Sequence, residues 1–166
     1  MRWLICYLND ENYTEAGFEF TDSIESAKEI CIQNIMNVFN ISKEDVMSGL
    51  DEMDFDADEN SCLSGLKISF GDPDSFFVNH IIPVDVKEGD FICVWHHAYD
   101  GVEFWICKTG TYEECKKAMY QDVKKTMDEI DCSCDYDTGG QVVLDTDTEW
   151  LIWDIISYTN MQNWNI

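Results

Sequence analysis

Carboxylates at regular spacing are the side chains of this sequence best suited to binding. Asp54, Asp56 and Asp58 alternate with Phe55 and Ala57. In an extended chain these three carboxylates point to the same side about 6.6 Å apart, which is twice the rise per residue of a β-strand. That distance is within reach of the spacing of phosphates along one DNA strand, about 3.4 Å along the axis and longer along the backbone. The pattern therefore predicts a surface on which carboxylates take the place of phosphates.

The alternation recurs later in the chain, at Asp135 and Asp137 and again at Asp145 and Asp147. These groups fall in segments that read as turns or loops beside hairpins, where they can line one edge of the fold. Phe55 adds an aromatic side chain of the kind that anchors interfaces. The residues predicted to bind a partner are Asp51, Glu52, Asp54, Phe55, Asp56, Asp58, Glu59, Asp135, Asp137, Asp145 and Asp147.

The net charge of the chain is −24, because 34 acidic residues face only 10 basic ones. A net charge of roughly 2–8 is ample to keep a small domain soluble, and a larger one repels itself and weakens the compact state. Such a surface repels the phosphates of nucleic acid, so we expect no direct binding of DNA or RNA. Two explanations remain open: an ordinary solvated or halophilic surface, or a surface selected to meet a positively charged partner.

The acidic stretches do not match a calcium-binding loop. Counted from Asp54, the sixth position is Glu59 rather than glycine, and the twelfth is Gly65 rather than glutamate. The turn glycine and the closing bidentate carboxylate of an EF-hand are therefore missing. Cys132 and Cys134 form only half of a zinc-binding pattern. We expect no metal and no cofactor.

The sequence carries no catalytic signature. It has eight cysteines and three histidines, but no motif selects a nucleophile and its base. It contains no phosphate-binding loop, no nucleophile elbow and no glycine-rich dinucleotide turn. Carboxylates are so numerous that a pair of them says nothing about acid–base chemistry. We therefore expect a protein that is not an enzyme.

Two stretches of the chain, 88 residues apart, share one helical pattern. Apolar residues in each are spaced by three and then by fours, as on one face of an α-helix. The first stripe is Ile24, Ala27, Cys31, Ile35 and Phe39, and the second is Tyr112, Cys115, Met119, Val123 and Met127. A pair of strands precedes each helix and another pair follows it. The later pairs are 74 residues apart, so that Ile68 matches Val142 and Ile82 matches Ile156.

The repeat predicts an α+β fold made by tandem duplication of a β-β-α-β-β unit, with antiparallel sheets that each have one packed helix. The two offsets differ by 88 − 74 = 14 residues, which we assign to an acidic insertion at 41–63 that the common fold does not require. Within it, Ser42 and Asp45 predict a short helix through Met53. The predicted organisation is a first unit at 1–82, a linker at 83–90, a second unit at 91–156 and a C-terminal tail at 157–166.

These features lead to a functional hypothesis. The protein is an inhibitor whose acidic face imitates nucleic-acid phosphates and occupies the basic groove of a DNA- or RNA-handling protein. A CRISPR effector or a restriction enzyme is a partner of this kind, and the inhibitor then belongs to a virus or mobile element. A first alternative is an immunity protein that neutralises a basic nuclease toxin, and a second is an uncharacterised cytosolic enzyme or adaptor.

The sequence also indicates a location. Its first short apolar run is followed at once by Asn9-Asp10-Glu11, which leaves no room for the core of a signal peptide. No apolar run approaches the ~20 residues that cross a bilayer. We therefore expect a cytoplasmic protein, in the host cytoplasm if it is phage-encoded, with reduced thiols and no membrane partner.

Overall fold

The computed structural model of the chain describes residues 1–9, 12–56, 64–72, 75–98 and 103–158. Contacts between residues divide the chain into two compact units. The first is built on Met1–Leu8 and Ala16–Val84, and the second includes the chain from Asp85 onward. Each unit has one antiparallel sheet and a hydrophobic core between that sheet and its helix.

Within the described residues, the first unit contains five strands and two helices. They are β1 (Arg2–Asn9), β2 (Asn12–Thr21), α1 (Ile24–Phe39), α2 (Lys43–Gly49), β3 (Asp51–Asp56), β4 (Ser64–Asp72) and β5 (Ser75–Val84). The strand order is β2-β1-β5-β4-β3. Ser23 caps the start of α1 by accepting a hydrogen bond from the backbone N–H of Ser26, and Asn40 ends that helix in the left-handed conformation, with φ of 52°.

Over the same ranges, the second unit contains five strands and one long helix. They are β6 (Phe91–Ala98), β7 (Glu103–Gly110), α3 (Tyr112–Glu129), β8 (Ser133–Asp137), β9 (Gln141–Asp145) and β10 (Trp150–Ser157). The strand order is β7-β6-β10-β9-β8. Thr111 and Glu114 form a capping box at the start of α3. No helix in the described part of the chain is long and apolar enough to span a bilayer.

The predicted fold class is confirmed, and the duplication extends to the strand register. In the first sheet Leu4 pairs with Ile82, and in the second Ile92 pairs with Ile156. The two pairs are related by the same offsets, 88 residues for the first partner and 74 for the second. The sheets therefore share one register as well as one strand order.

Each sheet also has a fifth strand that the sequence analysis does not predict. β3 pairs with β4 at one edge of the first sheet, and β8 pairs with β9 at the equivalent edge of the second. The expectation of a helix through Met53 is wrong, because α2 ends at Gly49 and Asp51 begins β3. The sequence analysis assigns Asp51–Asp56 to an insertion, but β8 occupies the same position in the second unit. The acidic strand therefore belongs to the repeated fold.

Exposure explains why these two segments are not predicted as strands of the sheets. Every residue of β8 is exposed, and among the described side chains of β3 only Phe55 is half-buried. A half-buried strand is predicted from a longer run in which apolar residues alternate with polar ones. In β3 the alternation is limited to Met53 and Phe55 between acidic residues, and from the sequence alone it indicates a row of carboxylates.

The predicted helical stripes pack on one face of each sheet. In the first unit Ala27, Cys31 and Ile35 of α1 share a core with Ile5 and Ile81. The corresponding core of the second unit contains Cys115, Met119, Val123, Cys93 and Trp153. Both helices are therefore held by the burial of apolar side chains, which contributes roughly 25 cal/mol per Å² removed from water.

The central strands are buried on their other face as well. Leu4 and Cys6 alternate with Ile5 along β1 and therefore lie on the face away from α1, yet both are fully buried. In the second unit Ile92 and Val94 are fully buried on the face away from α3. Most charged side chains are consequently on the edge strands, turns and helices, and the polar side chains of central strands, such as Asn79 and His96, are buried.

A glycine in β4 leaves room for the one half-buried side chain of β3. Phe55 and Gly65 lie directly opposite each other. A Cβ atom added to Gly65 would lie 2.3 Å from the Phe55 ring and 3.0 Å from the carbonyl oxygen of Ile81. The glycine therefore allows an aromatic ring of the edge strand to lie on the sheet.

We predict that Gly65→Ala lowers the free energy of unfolding by ~1–3 kcal/mol, the usual effect of overpacking a filled site. Chemical denaturation of the variant and the parent protein measures the difference. Gly140→Ala is the matched control, because a Cβ there would lie 3.9 Å from its nearest neighbour, the Tyr112 hydroxyl. Equal effects of the two substitutions would contradict the prediction.

Candidate functional site

Strand β3 forms a free acidic edge of the first sheet. The side chains of Asp51 and Asp54 are exposed, and no basic side chain in the described part of the chain forms an ion pair with either. Glu52 differs, because the Nζ atom of Lys28 on α1 lies 2.7 Å from Oε2 of Glu52. Asp56 is the last residue of the strand. The edge therefore has at least two carboxylates available to a partner.

The other predicted residues of this segment have different environments. Asp58 and Glu59 lie outside the described residues. The Phe55 ring packs edge-on against the imidazole of His80, with 5.0 Å between ring centroids, and lies 5.4 Å from Nζ of Lys67. Phe55 is thus partly used within its own sheet and is not a fully exposed anchor.

Strand β8 forms the equivalent edge of the second sheet. The side chain of Asp135 is exposed, and Tyr136 is 51% exposed. The carboxylate of Asp137 accepts hydrogen bonds from the Tyr120 hydroxyl at 2.9 and 3.0 Å and from the backbone N–H of Gly139 at 2.7 Å. Asp137 therefore stabilises the turn after β8 and connects it to α3.

A bulge in β8 separates the two carboxylates of this strand. Cys134 pairs with Leu144 and Tyr136 pairs with Val143, so Asp135 is the extra residue between them. In a regular strand residues two apart share one face, but a bulge interrupts that alternation. The row of carboxylates that the sequence predicts at Asp135 and Asp137 is therefore not formed.

The turn between β9 and β10 brings two further predicted carboxylates to this edge. Asp145 pairs with Ser133, the first residue of β8. Oδ1 of Asp145 accepts a hydrogen bond from the backbone N–H of Asp147 at 2.9 Å, and Asp147 has a φ of 66°. Asp145 stabilises the turn, whereas the side chain of Asp147 is exposed. Asp135 and Asp137 thus lie on the edge strand, Asp145 lies beside the start of that strand, and Asp147 lies in the turn after β9.

Helix α3 carries most of the lysines of the second unit, but it is not distant from β8. Four of the ten basic residues of the chain are on this helix: Lys116, Lys117, Lys124 and Lys125. The same helix carries five acidic residues, and its Tyr120 donates a hydrogen bond to Asp137 of β8. The Nζ atom of Lys116 lies 3.6 Å from the position that a Cβ atom would take at Gly139, in the turn after β8. Strands β8 and β9 themselves contain carboxylates and no lysine or arginine.

A polar link between helix and sheet is a feature that the sequence analysis misses. In the first unit Nδ2 of Asn34 on α1 lies 3.2 Å from Oδ1 of Asn79 and 3.4 Å from Oε1 of Glu19, and donates to both. The Tyr7 hydroxyl donates to the same Glu19 oxygen at 3.4 Å. Asn79 is fully buried, so this link crosses the apolar core.

The second unit has the same link with different side chains. Asp122 of α3 accepts a hydrogen bond from Nε1 of Trp153 at 2.9 Å and from the thiol of Cys107 at 3.8 Å. Asp122 comes 88 residues after Asn34, and Cys107 comes 88 residues after Glu19. Trp153 comes 74 residues after Asn79. The repeat offsets align these positions, but only the fold brings them into contact.

Burial suppresses the ionisation of groups beside these links. Burial and the charge of Glu19 raise the pKa of Tyr7 to about 12 and that of the Cys31 thiol to about 12. A hydrogen bond with Cys93, together with burial, raises the pKa of Cys107 far above its usual range. A thiol with a raised pKa is a poor nucleophile at neutral pH. The side chains of these links are therefore structural groups rather than reactive ones.

A buried histidine of the second unit is paired with a carboxylate. Nε2 of His96 lies 3.0 Å from Oδ2 of Asp154, whose Oδ1 accepts a hydrogen bond from Gln141 at 2.8 Å. The ring of Phe104 stacks on the imidazole with 5.0 Å between centroids. An aspartate–histidine pair also occurs in hydrolases, but none of these three neighbours carries a hydroxyl or thiol nucleophile.

Metal-binding geometry does not occur in the part of the chain that the structure describes. There, no three or more His, Cys, Asp or Glu side chains are placed to hold an ion together. Seven described cysteines form no disulfide, and Cys134 is the exposed one. Cys132 and Cys134 thus have no ligand set around them among these residues.

Comparisons of the chain with protein-family models, with curated proteins and with solved structures found no match. Its function is therefore inferred from its own geometry and charge.

We predict that Tyr7 ionises later than the exposed tyrosines. Its neutral form is favoured in the folded state, so its contribution to stability is present below about pH 10, the ordinary tyrosine pKa, and is lost as the pH rises towards about 12. Phenolate absorbance against pH measures the ionisation, and melting temperature against pH measures the stability. Tyr7→Phe should remove a late ionisation step and reduce the fall in melting temperature above pH 10.

Tyr136→Phe is the control for this prediction, because Tyr136 is exposed on β8. The late ionisation step should remain in that variant. A late step of unchanged size in Tyr7→Phe would show that the late ionisation does not come from Tyr7.

Proposed function

We propose that this protein is an acidic inhibitor that imitates nucleic-acid phosphates and occupies the basic groove of a DNA- or RNA-handling protein. CRISPR effectors and restriction enzymes are partners of the required kind. The observation that carries the proposal is the position of exposed carboxylates without ion-pair partners, within the described residues, on free sheet edges: Asp51 and Asp54 on β3, and Asp135 on β8.

Competition is the mechanism. Lysine and arginine side chains that neutralise phosphates in the nucleic-acid complex are neutralised by carboxylates in the inhibited one. A net charge of −24 also attracts a basic partner over distance and raises the association rate, most strongly at low salt. The inhibitor performs no chemistry in this mechanism, so it requires no catalytic residue.

The sheet supports this role because it holds the carboxylates at defined positions. Backbone pairing of β3 with β4 orders the strand before any partner arrives. A preorganised charge loses less conformational entropy on binding than a charge on a flexible tail. Asp147 is held in the same way by the turn that it forms with Asp145.

Protection of the sheet edge is the competing explanation for the same carboxylates. Natural proteins place charges on edge strands to prevent one sheet from pairing with another. The two explanations differ in the sign of charge that they need. Edge protection works with either sign, whereas phosphate mimicry requires a negative charge.

A charge-reversed variant separates these explanations. Asp51→Lys with Asp54→Lys changes the net charge from −24 to −20 and keeps β3 charged. The matched control is Asp85→Lys with Glu88→Lys, which makes the same change at exposed residues outside the strands. We predict that the β3 variant binds the partner on the order of 100-fold more weakly, since losing a close charge pair costs ~2–5 kcal/mol. The control should bind within about threefold of the parent protein.

The partner is obtained by capture from the native host and elution with a salt gradient. Fluorescence anisotropy then measures whether the inhibitor displaces a labelled DNA or RNA duplex from the captured protein, and whether the two variants do so. A partner that binds no nucleic acid, or that binds inhibitor and duplex together, would overturn the proposal. Unchanged displacement by the β3 variant, with self-association of the neutral Asp51→Asn, Asp54→Asn protein, would assign these carboxylates to edge protection.

A further inference from the structure

The free edges of β3 and β8 occupy equivalent positions but differ in regularity. All six residues of β3 pair with β4 without a shift, from Asp51 opposite Ser69 to Asp56 opposite Ser64. The pairing of β8 with β9 is interrupted by the bulge at Asp135. A bulge twists an edge and breaks its row of backbone N–H and C=O groups, whereas a regular edge presents these groups in order. Of these two equivalent edges, β3 therefore has the geometry of a template for another strand.

We propose that β3 is a docking site for an extended basic segment of the partner, which adds to the first sheet as a sixth strand. Strand addition of this kind is an established mode of peptide recognition, in which backbone hydrogen bonds supply affinity and alternate side chains supply specificity. Among the described residues no strand other than β4 pairs with β3. The proposal rests on the proposed function, because it takes the partner to be positively charged.

Charge complementarity identifies the occupant as basic. Four of the six residues of β3 are acidic. Among its described side chains, Glu52 forms an ion pair with Lys28, whereas none is formed by Asp51 or Asp54. Lys67 of the adjacent β4 lies beside the Phe55 ring. Asp51 and Asp54 lie on opposite faces of the strand because they are three residues apart. Lysine or arginine side chains on an added strand therefore meet a carboxylate on either face, and opposite charges across a strand pair are stabilising.

The same charge excludes a second copy of this chain as the occupant. Two β3 edges placed side by side bring like charges opposite each other, which destabilises strand pairing. Met53 supplies an apolar contact in addition to the charges. Its side chain is 60% exposed and shares a face with Asp51, and no bulge turns it away from an incoming strand.

Synthetic peptides that alternate lysine and valine test the proposal. The probe is a fluorescent nine-residue peptide, and two analogues carry N-methyl groups on the odd or on the even residues. All three peptides have the same charge, but each analogue has lost the backbone donors of one edge. An added strand pairs with β3 through one edge only, so we expect one analogue to bind at least tenfold more weakly and the other to bind within about twofold of the probe. Hydrogen exchange should show new protection of β3 amides.

Two protein variants test whether the peptide binds at the β3 edge. Asp54→Lys should weaken binding of the unmethylated peptide at least tenfold, whereas Asp85→Lys, an equal change of charge outside the sheets, should leave it within about twofold. Melting curves of both variants establish that they are folded. Binding of both analogues as tightly as the probe, without new protection of β3 amides, would overturn strand addition.

The outcomes also separate this inference from the proposed function. If the methylated analogues bind like the probe while the native partner is still displaced from its nucleic acid, only strand addition is wrong. If the charge-reversed β3 protein displaces nucleic acid as well as the parent protein does, the proposed role of β3 in phosphate mimicry fails first. Strand addition is then also wrong, because it requires a basic partner that binds β3.

Discussion

A sheet that is buried on both faces can present ordered polar groups only at its edges. Leu4 and Ile5 point to opposite faces of β1, and both are fully buried. The central strands of each unit therefore carry mostly apolar residues, and polar ones among them, such as Asn79 and His96, are fully buried. The charge of −24 has to be accommodated on edge strands, turns and helices. This constraint places carboxylates next to unpaired backbone groups, a combination that is uncommon on the flat surface of a sheet.

The duplication preserves geometry more strictly than chemistry. Both helices are tied to their sheets by polar links at equivalent positions, but an asparagine pair in one unit becomes an aspartate and a tryptophan in the other. Each version places a hydrogen bond between helix and sheet at the same point of the fold. The edge strands differ in geometry instead. They occupy equivalent positions in the two sheets, but β3 is regular and β8 contains a bulge. Equivalent elements can thus differ in what they offer to a partner.

The elements with an apolar stripe could be predicted from the sequence, and those without one could not. The helices at Ile24 and Tyr112 were recognisable because their buried residues recur at helical spacing, and the two offsets matched their flanking strands. β3 and β8 lack such a stripe, since pairing with a single neighbour and exposure to solvent determine them. The partners of Asn34 and Asp122 were equally hidden, because they are distant in sequence and meet only after folding. The acidic residues could be identified from the sequence. Which of them are exposed, and which accept hydrogen bonds within a turn, as Asp137 and Asp145 do, is determined only by the folded turns.

The separation of charge within the second unit has a consequence for how it meets a positive surface. Five of its six lysines lie on β7 and α3, whereas β8, β9 and β10 carry carboxylates and no lysine or arginine. Such a distribution gives the unit an electric dipole moment in addition to its net charge. A positive field therefore exerts a torque as well as an attraction, and turns the β8 side forward before contact. Fewer encounters then occur in the wrong orientation, so the uneven distribution of charge increases the rate of association.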